Sequence, residues 1–172
     1  KISIKKAEKK ASIIEAAVCT FADKGFYNAK VSDIAQRAGV ADGTIYLYFK
    51  NKDDILISIF ETKMDLILKR FQDTLSPSKD PIEKLKSFFV LYFDLIHEDE
   101  KLADVFQVEL RQSTKFLKNY KNQKFADYLN IIASIVQEGI DMGFFRPDLN
   151  VQIIKLMKNP LAYMLPPFPS VR

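Results

Sequence analysis

VSDIAQRAGVADGTIYLYFKNK, residues 31–52, is the stretch on which the reading of the whole chain turns. Val31, Ile34, Ala35 and Ala38 recur at helical spacing and make one small apolar stripe. Gly39 ends that helix, since a glycine just past a helix end takes the left-handed conformation at no steric cost. Val40 is placed to drop back into the core. Asp42 stands where a cap would accept backbone N–H bonds for a second helix. In that helix Ile45 and Phe49 share a face and point inward. Thr44, Tyr46, Leu47 and Tyr48 fall largely on other faces. A very short helix that turns a threonine and two tyrosines outward makes a poor core element. It makes a good reading head for a DNA major groove, where hydroxyls meet phosphates and base edges and apolar groups meet thymine methyls.

A helix pair joined by a short glycine-containing turn is the helix-turn-helix unit. DIAQRAGVADGTIYLYFKNKDDIL resembles the DNA-binding signature of TetR-family repressors. The residues that carry the resemblance are Ile34-Ala35, Ala38-Gly39-Val40, Gly43-Thr44-Ile45-Tyr46, Tyr48-Phe49, Lys52 and Ile55-Leu56. The resemblance implies an all-α fold: a three-helix helix-turn-helix domain over 1–52, then a helical regulatory, ligand-binding and dimerisation domain over 53–172.

Composition agrees with a helical globular protein. The chain has 172 residues, 48% hydrophobic and 28% charged, with 14 Phe, five Gly and no Trp. The net charge of +4 is compatible with an anionic partner without demanding one. One cysteine, Cys19, gives no disulfide framework, which fits a cytoplasmic setting. No apolar run reaches membrane-spanning length, and no membrane partner is expected.

Ahead of the decisive stretch, Lys1, Lys5, Lys6, Lys9 and Lys10 form either a solvated, partly frayed arm or a phosphate-contacting one. Ile14, Ala17, Val18 and Phe21 define the buried face of a first helix that ends near Lys24-Gly25. Cys19 reads as a small packed residue within it. Lys30 and Ser32 flank the start of the next helix, whose free N–H groups suit phosphate. TetR-like sequences often have a hydroxyl residue where Lys30 stands. Asp42 reads as a cap, or else as a cytosine reader. Lys52, beyond the reading head, suits a phosphate clamp.

Downstream, a longer helix is expected from Asp53 to about Leu75. In the resembled family this helix links the DNA-binding and regulatory domains. Residues 76–81 form a linker in which Asp80-Pro81 looks like a helix start. The following helix, to Asp99, holds Phe88 to Phe93 and reads as apolar on all sides, the wall of a pocket or a plain core element. His97 stands alone and reads as a helix-end residue. A shorter helix over 101–113 and a long one over 116–142 come next. Between Glu109 and Asp127 lie Arg111, Lys115, Lys118, Lys121 and Lys124 with no acidic residue, a solvated face or an anion site. Asn150 can open another helix.

QVELRQS, residues 107–113, and EGIDMGFF, residues 138–145, lie outside the DNA-binding unit. With VADGTIYLYFKNKDDILISIF they resemble the TetR-type FadR repressors of bacterial fatty-acid degradation. That likeness implies a ligand-responsive repressor with no cofactor, released from its operator by long-chain acyl-CoA. The residues agree in kind: the aromatic helix with Phe88, Phe89 and Tyr92 is suited to wall an acyl tunnel, and Arg111, Gln112 and Lys115 are suited to hold CoA phosphates. The likeness also implies a homodimer on palindromic double-stranded DNA. Gly43 would let the backbone approach, and Thr44, Tyr46 and Tyr48 would bond phosphate or base edges. Leu47 would offer apolar contact, and Lys52 would hold the backbone. TetR-like proteins pair two long C-terminal helices across the dimer. Here only the start of the first is visible before the proline-rich tail, so that element is abbreviated or residues are missing. The initial Lys1, in place of Met, also points to a chain that is part of a longer product.

Three rivals remain at the level of sequence. One is a TetR-like repressor for another lipophilic molecule or drug. A second is an enzyme, for which one His and one Cys offer few catalytic arrangements. A third is a sequence-neutral architectural DNA binder.

Overall fold

The computed structural model describes residues 2–75, 80–112 and 123–151. Within them the chain is helical and holds no strand. The elements are α1 (Ile2–Lys24), α2 (Val31–Ala38), α3 (Asp42–Tyr46), α4 (Lys52–Thr74), α5 (Pro81–Glu98), α6 (Glu100–Gln112) and α7 (Gln123–Asp141).

The helix ends follow local chemistry. Gly25, at φ 73°, closes α1 with its N–H 2.8 Å from the Phe21 carbonyl. Gly39, at φ 65°, closes α2; its own N–H reaches the Gln36 carbonyl and that of Val40 the Ala35 carbonyl. Asn51 Oδ1 accepts the Asp54 N–H at 2.9 Å and caps α4. Asp80 Oδ1 accepts the Glu83 N–H at 2.9 Å, with Pro81 opening α5 as expected.

Two expectations are corrected at these ends. The lysine-rich N-terminus is not a frayed arm, since α1 is already helical from Ile2, with Lys5, Lys6, Lys9 and Lys10 exposed. Asp42 is not the cap of α3. Ala41 holds the cap position without a side-chain bond, and Asp42 is the first helical residue. At that place its charge complements the helix dipole while its carboxylate satisfies no N–H.

The chain forms two compact units. One comprises the described residues up to Lys63 with Asp99–Glu109, the other the described residues of 64–98 and from Leu110 on. The first half of α4 belongs with the helix-turn-helix, and so does the start of α6. Phe106 on α6 lies 5.2 Å from Phe60 on α4, ring to ring, and Lys101 pairs with Asp23 at 3.4 Å. Both rings are buried, and that burial ties the start of α6 to the first unit.

The core of the first unit is Ile13, Ile14, Ala17, Val18, Phe21, Ile34, Ala35, Ile45, Phe49, Ile55, Ile59 and Phe60. It includes the stripe expected for α1. The core of the second unit is aromatic: Phe71 from α4, Phe88 and Tyr92 from α5, Tyr128 from α7. Among the described residues no helix is long and apolar enough to cross a membrane.

Candidate nucleic-acid interface and effector core

The reading head is built from inside outward. Ile45 and Phe49 are 1% and 2% exposed and anchor α3 on the first unit. After α3 the Leu47 N–H bonds the Thr44 carbonyl at 3.2 Å, and those of Tyr48 and Phe49 both bond the Ile45 carbonyl at 3.0 Å, so the segment turns tightly back after Tyr46. With the two anchors buried, Tyr46 is left 58% and Leu47 75% exposed. Asp42 and Gly43 are exposed as well, and Thr44 and Tyr48 are half-buried. Ser32 is exposed on the first turn of α2, and Lys30 is exposed at its cap. The structure thus gathers Lys30, Ser32 and residues 42–48 on the first unit, with their anchors beneath them.

Two features strengthen this head that sequence reasoning did not single out. Asp33 Oδ2 accepts the Lys30 N–H at 2.9 Å and so closes the start of α2. An acidic residue three places after a cap is the pattern that could have revealed it. Asp33 also pairs with Lys24 at 2.8 Å. That pairing first, and the Lys30 N–H second, hold its carboxyl below the usual range. Tyr27, in the loop before α2, is 68% exposed, and nothing in the residue pattern marks it.

Lys52 is half-buried at the start of α4. Its Nζ donates to the carbonyls of Phe26 at 2.5 Å, Tyr27 at 3.1 Å and Ala29 at 2.9 Å. An ammonium has three N–H donors, and all three are engaged within the protein. The ammonium expected to meet phosphate is thus held by backbone carbonyls of the loop before α2.

Aromatic stacking organises the second unit. Phe71 and Phe88 stack with centroids 4.5 Å apart, and Tyr128 meets Phe71 edge-on at 5.6 Å. Phe89 is half-buried, edge-on to Phe88 at 5.8 Å. The Tyr92 hydroxyl is buried and has no hydrogen-bond partner. Burial pushes its pKa up to about 12. Burial first, and the neighbouring Tyr92 second, raise Tyr128 as well.

The expectation that α5 is apolar and covered on all sides needs correcting. Phe88, Leu91, Tyr92 and Ile96 are buried, whereas Val90 is 60% and Phe93 48% exposed. Among the described residues of its unit, α4 and α7 supply the groups that meet the buried face of the helix.

An open cleft of about 310 Å³ lies elsewhere in this unit, between Leu75, Ile131, Ile135 and the Lys84–Glu138 pair. Lys84 Nζ is 2.6 and 2.7 Å from the two Glu138 oxygens. Among the described residues, Phe88, Phe89 and Tyr92 do not line this cleft. Arg111 and Gln112 lie in the last turn of α6, but their side chains are outside the described residues, and Lys115 is outside them altogether. Of the basic run, Lys124 pairs with Asp65.

With this geometry in place, comparison with known proteins extends it. Residues 13–59 match the family model of bacterial regulatory proteins, tetR family. Residues 60–159 match that of the YsiA-like protein, C-terminal region. The chain is 43% identical over 152 residues to the fatty acid metabolism regulator protein of Bacillus subtilis, covering 88% of this chain and 78% of that protein. The fold is similar to that of the transcriptional regulator FadR from Bacillus subtilis in complex with stearoyl-CoA. The TM-score is 0.79 at 41% identity, over 89% of this chain and 83% of that one. The fatty acid degradation regulator FadR from Bacillus halodurans superimposes at TM-score 0.81 and 40% identity, over 90% and 81% of the two chains.

Proposed function

The chain belongs to the TetR family of bacterial regulators, and from that membership we propose that it is an acyl-CoA-responsive repressor of fatty-acid metabolism genes. It acts in the cytoplasm as a homodimer on a near-palindromic operator and releases that operator when a long-chain acyl-CoA binds. The observation that carries the DNA half is the two-sided reading head. Buried Ile45 and Phe49 hold up exposed Tyr46 and Leu47. The effector half is supported by the 43% identity to a fatty acid metabolism regulator and by the stearoyl-CoA bound to a 41%-identical neighbour.

Each subunit sets residues 42–48 into a major groove, the two heads about one helical turn apart. Thr44, Tyr46 and Tyr48 bond phosphate or base edges, and Leu47 meets thymine methyls. Lys30 and Ser32 meet the backbone at the start of α2. The acyl chain enters the aromatic core of the second unit by Phe88, Phe89 and Tyr92. Arg111, Gln112 and Lys115 take the CoA phosphates. The effector lowers operator affinity by the ratio of its own affinities for the two states of the protein.

The test is binding of the purified protein to a pool of genomic DNA fragments at physiological salt, with and without a long-chain acyl-CoA. Selective retention of a palindromic site, lost with acyl-CoA but not with free CoA, is the expected result. Retention indifferent to acyl-CoA refutes the effector. The absence of any selected site refutes the reading head.

A further inference from the structure

We propose that Lys52 is a positioning residue of the reading head rather than a phosphate contact: its ammonium fixes the loop between α1 and α2 to the first turn of α4. The inference rests on the DNA-binding reading above and adds a residue that acts on it from within.

The loop over residues 25–30 has few bonds of its own. Among the described residues, the Ala29 N–H reaches the Gly25 carbonyl at 3.1 Å, and Asn28 Nδ2 reaches the Lys24 carbonyl at 3.2 Å. The carbonyls of Phe26, Tyr27 and Ala29 converge instead on Lys52 Nζ. Beneath it lies the Phe26 ring, with the ammonium 4.6 Å from the centroid. A cation over an aromatic face is attracted by the ring quadrupole, which adds a fourth hold. To reach a phosphate, the side chain would have to leave three carbonyls without their donor.

What the tether fixes is the start of α2. The loop delivers Lys30, whose N–H bonds Asp33, and the exposed ring of Tyr27. Lys52 also follows closely on Phe49, the buried anchor of α3. One short segment therefore sets both groove-facing parts of the head: α3 through Phe49 and the α2 start through Lys52.

Lysine and arginine separate the two roles. A phosphate clamp accepts arginine at least as well as lysine, because the guanidinium fork matches phosphate. Three carbonyls converging on one point need a compact ammonium, which a planar fork does not reproduce. Charge removal separates them again. Loss of a phosphate contact makes the log–log dependence of affinity on salt shallower by about 0.9, whereas loss of a positioning residue leaves that slope unchanged.

The experiment measures operator affinity across a salt series for the wild type, Lys52→Arg and Lys52→Met, without effector, together with amide exchange at Ala29 and Lys30. Both variants are expected to bind about tenfold or more weakly at an unchanged slope, since charged hydrogen bonds of this kind are among the stronger ones. Exchange at the two amides is expected to accelerate. Wild-type affinity in Lys52→Arg, or a shallower slope in Lys52→Met, overturns the proposal. So does a variant that melts below the assay temperature, because the ammonium then serves the fold as a whole. A wild type that selects no operator refutes the DNA reading instead. In that event the amide exchange alone decides the tether, and unchanged exchange in Lys52→Met overturns it.

Discussion

Tyrosines serve opposite purposes in the two units. In the first, Tyr27 and Tyr46 stand 68% and 58% exposed on a base of buried aliphatic and phenyl groups. In the second, Tyr92 and Tyr128 are buried among phenylalanines, and desolvation raises both hydroxyls. A tyrosine turned outward keeps its hydroxyl in water and loses little by waiting for a partner. A tyrosine turned inward with an unpartnered hydroxyl, as at Tyr92, holds the folded protein at a cost. The first arrangement suits a ligand that arrives at the surface, such as a duplex. The second suits a ligand that brings a polar atom into an apolar interior, such as an acyl thioester with its carbonyl.

The largest expected effect tests the outward half. Phe49→Ala removes a phenyl that is 2% exposed and should cost about 3–5 kcal/mol of stability. Leu47→Ala, at a residue 75% exposed, should change stability by less than about 0.5 kcal/mol and yet weaken operator binding. Urea unfolding and operator titration of the two variants check this. If Leu47→Ala unfolds the head while Phe49→Ala leaves it intact, the inside and outside of α3 have been exchanged.

The inward half is sharpened by Gly139. A methyl there would lie 2.0 Å from Phe145 Cδ2, so the ring folded over the end of α7 has to move. Gly143, at φ 77°, turns the chain so that the Phe144 and Phe145 N–H groups both reach the Gly139 carbonyl. Gly139→Ala should cost about 1–3 kcal/mol, as overpacking does, and should melt the second unit earlier. Calorimetry that finds no shift would mean the ring is held by nothing that matters.

These elements also mark how far the sequence could be read. Gly39, Ile45 and Phe49 were legible because a left-handed cap and a helical stripe are local rules, and the structure obeys them, whereas Val40, expected in the core, is only half-buried. Asp80-Pro81 was legible for the same reason. Asp42 was misplaced because α3 begins at the residue after Ala41, and a shift of one position turns a cap into a first-turn charge. The carbonyl partners of Lys52 were not legible because they lie 23 to 26 residues away along the chain, and carbonyls leave no trace in residue type. The apolar run in α5 overstated burial, since hydropathy records what a helix offers and not which neighbours come to cover it. The placement of α6 with the first unit depends on Phe60 meeting Phe106, which no periodicity predicts.

Tyr92→Phe is the next test, smaller in energy and opposite in sign. Removing an unpartnered hydroxyl while keeping the ring should raise stability by about 1 kcal/mol. The same change should weaken release of the operator by acyl-CoA. The pH dependence gives a second readout. Below pH 10.0, the ordinary tyrosine value, both folded and unfolded Tyr92 are neutral and full stability is present. Between 10.0 and about 12 the unfolded state loses its proton and the folded state keeps it, so stability falls as pH rises. Tyr92→Phe should flatten part of that fall. A variant less stable than the wild type, with acyl-CoA response intact, would show that the hydroxyl serves the fold and not a ligand.

The smallest effect concerns Asp42, the one charged residue among residues 42–48. Since its carboxylate bonds no N–H, Asp42→Asn loses only a charge–dipole term, about 0.3–1 kcal/mol at most. On the DNA side a carboxylate near phosphates is repelled, so the same variant should bind the operator slightly more tightly, most visibly at low salt. The alternative sequence reading gave Asp42 a cytosine amino group to accept from, a contact worth about 1–3 kcal/mol of discrimination. Asparagine keeps an acceptor there but adds an amide that faces the wrong way for that role as often as the right one. Operator titration of Asp42→Asn at two salt concentrations therefore splits the cases. A gain that fades with salt leaves reading to the outward tyrosines and Leu47, and a loss that persists with salt makes Asp42 a reader after all.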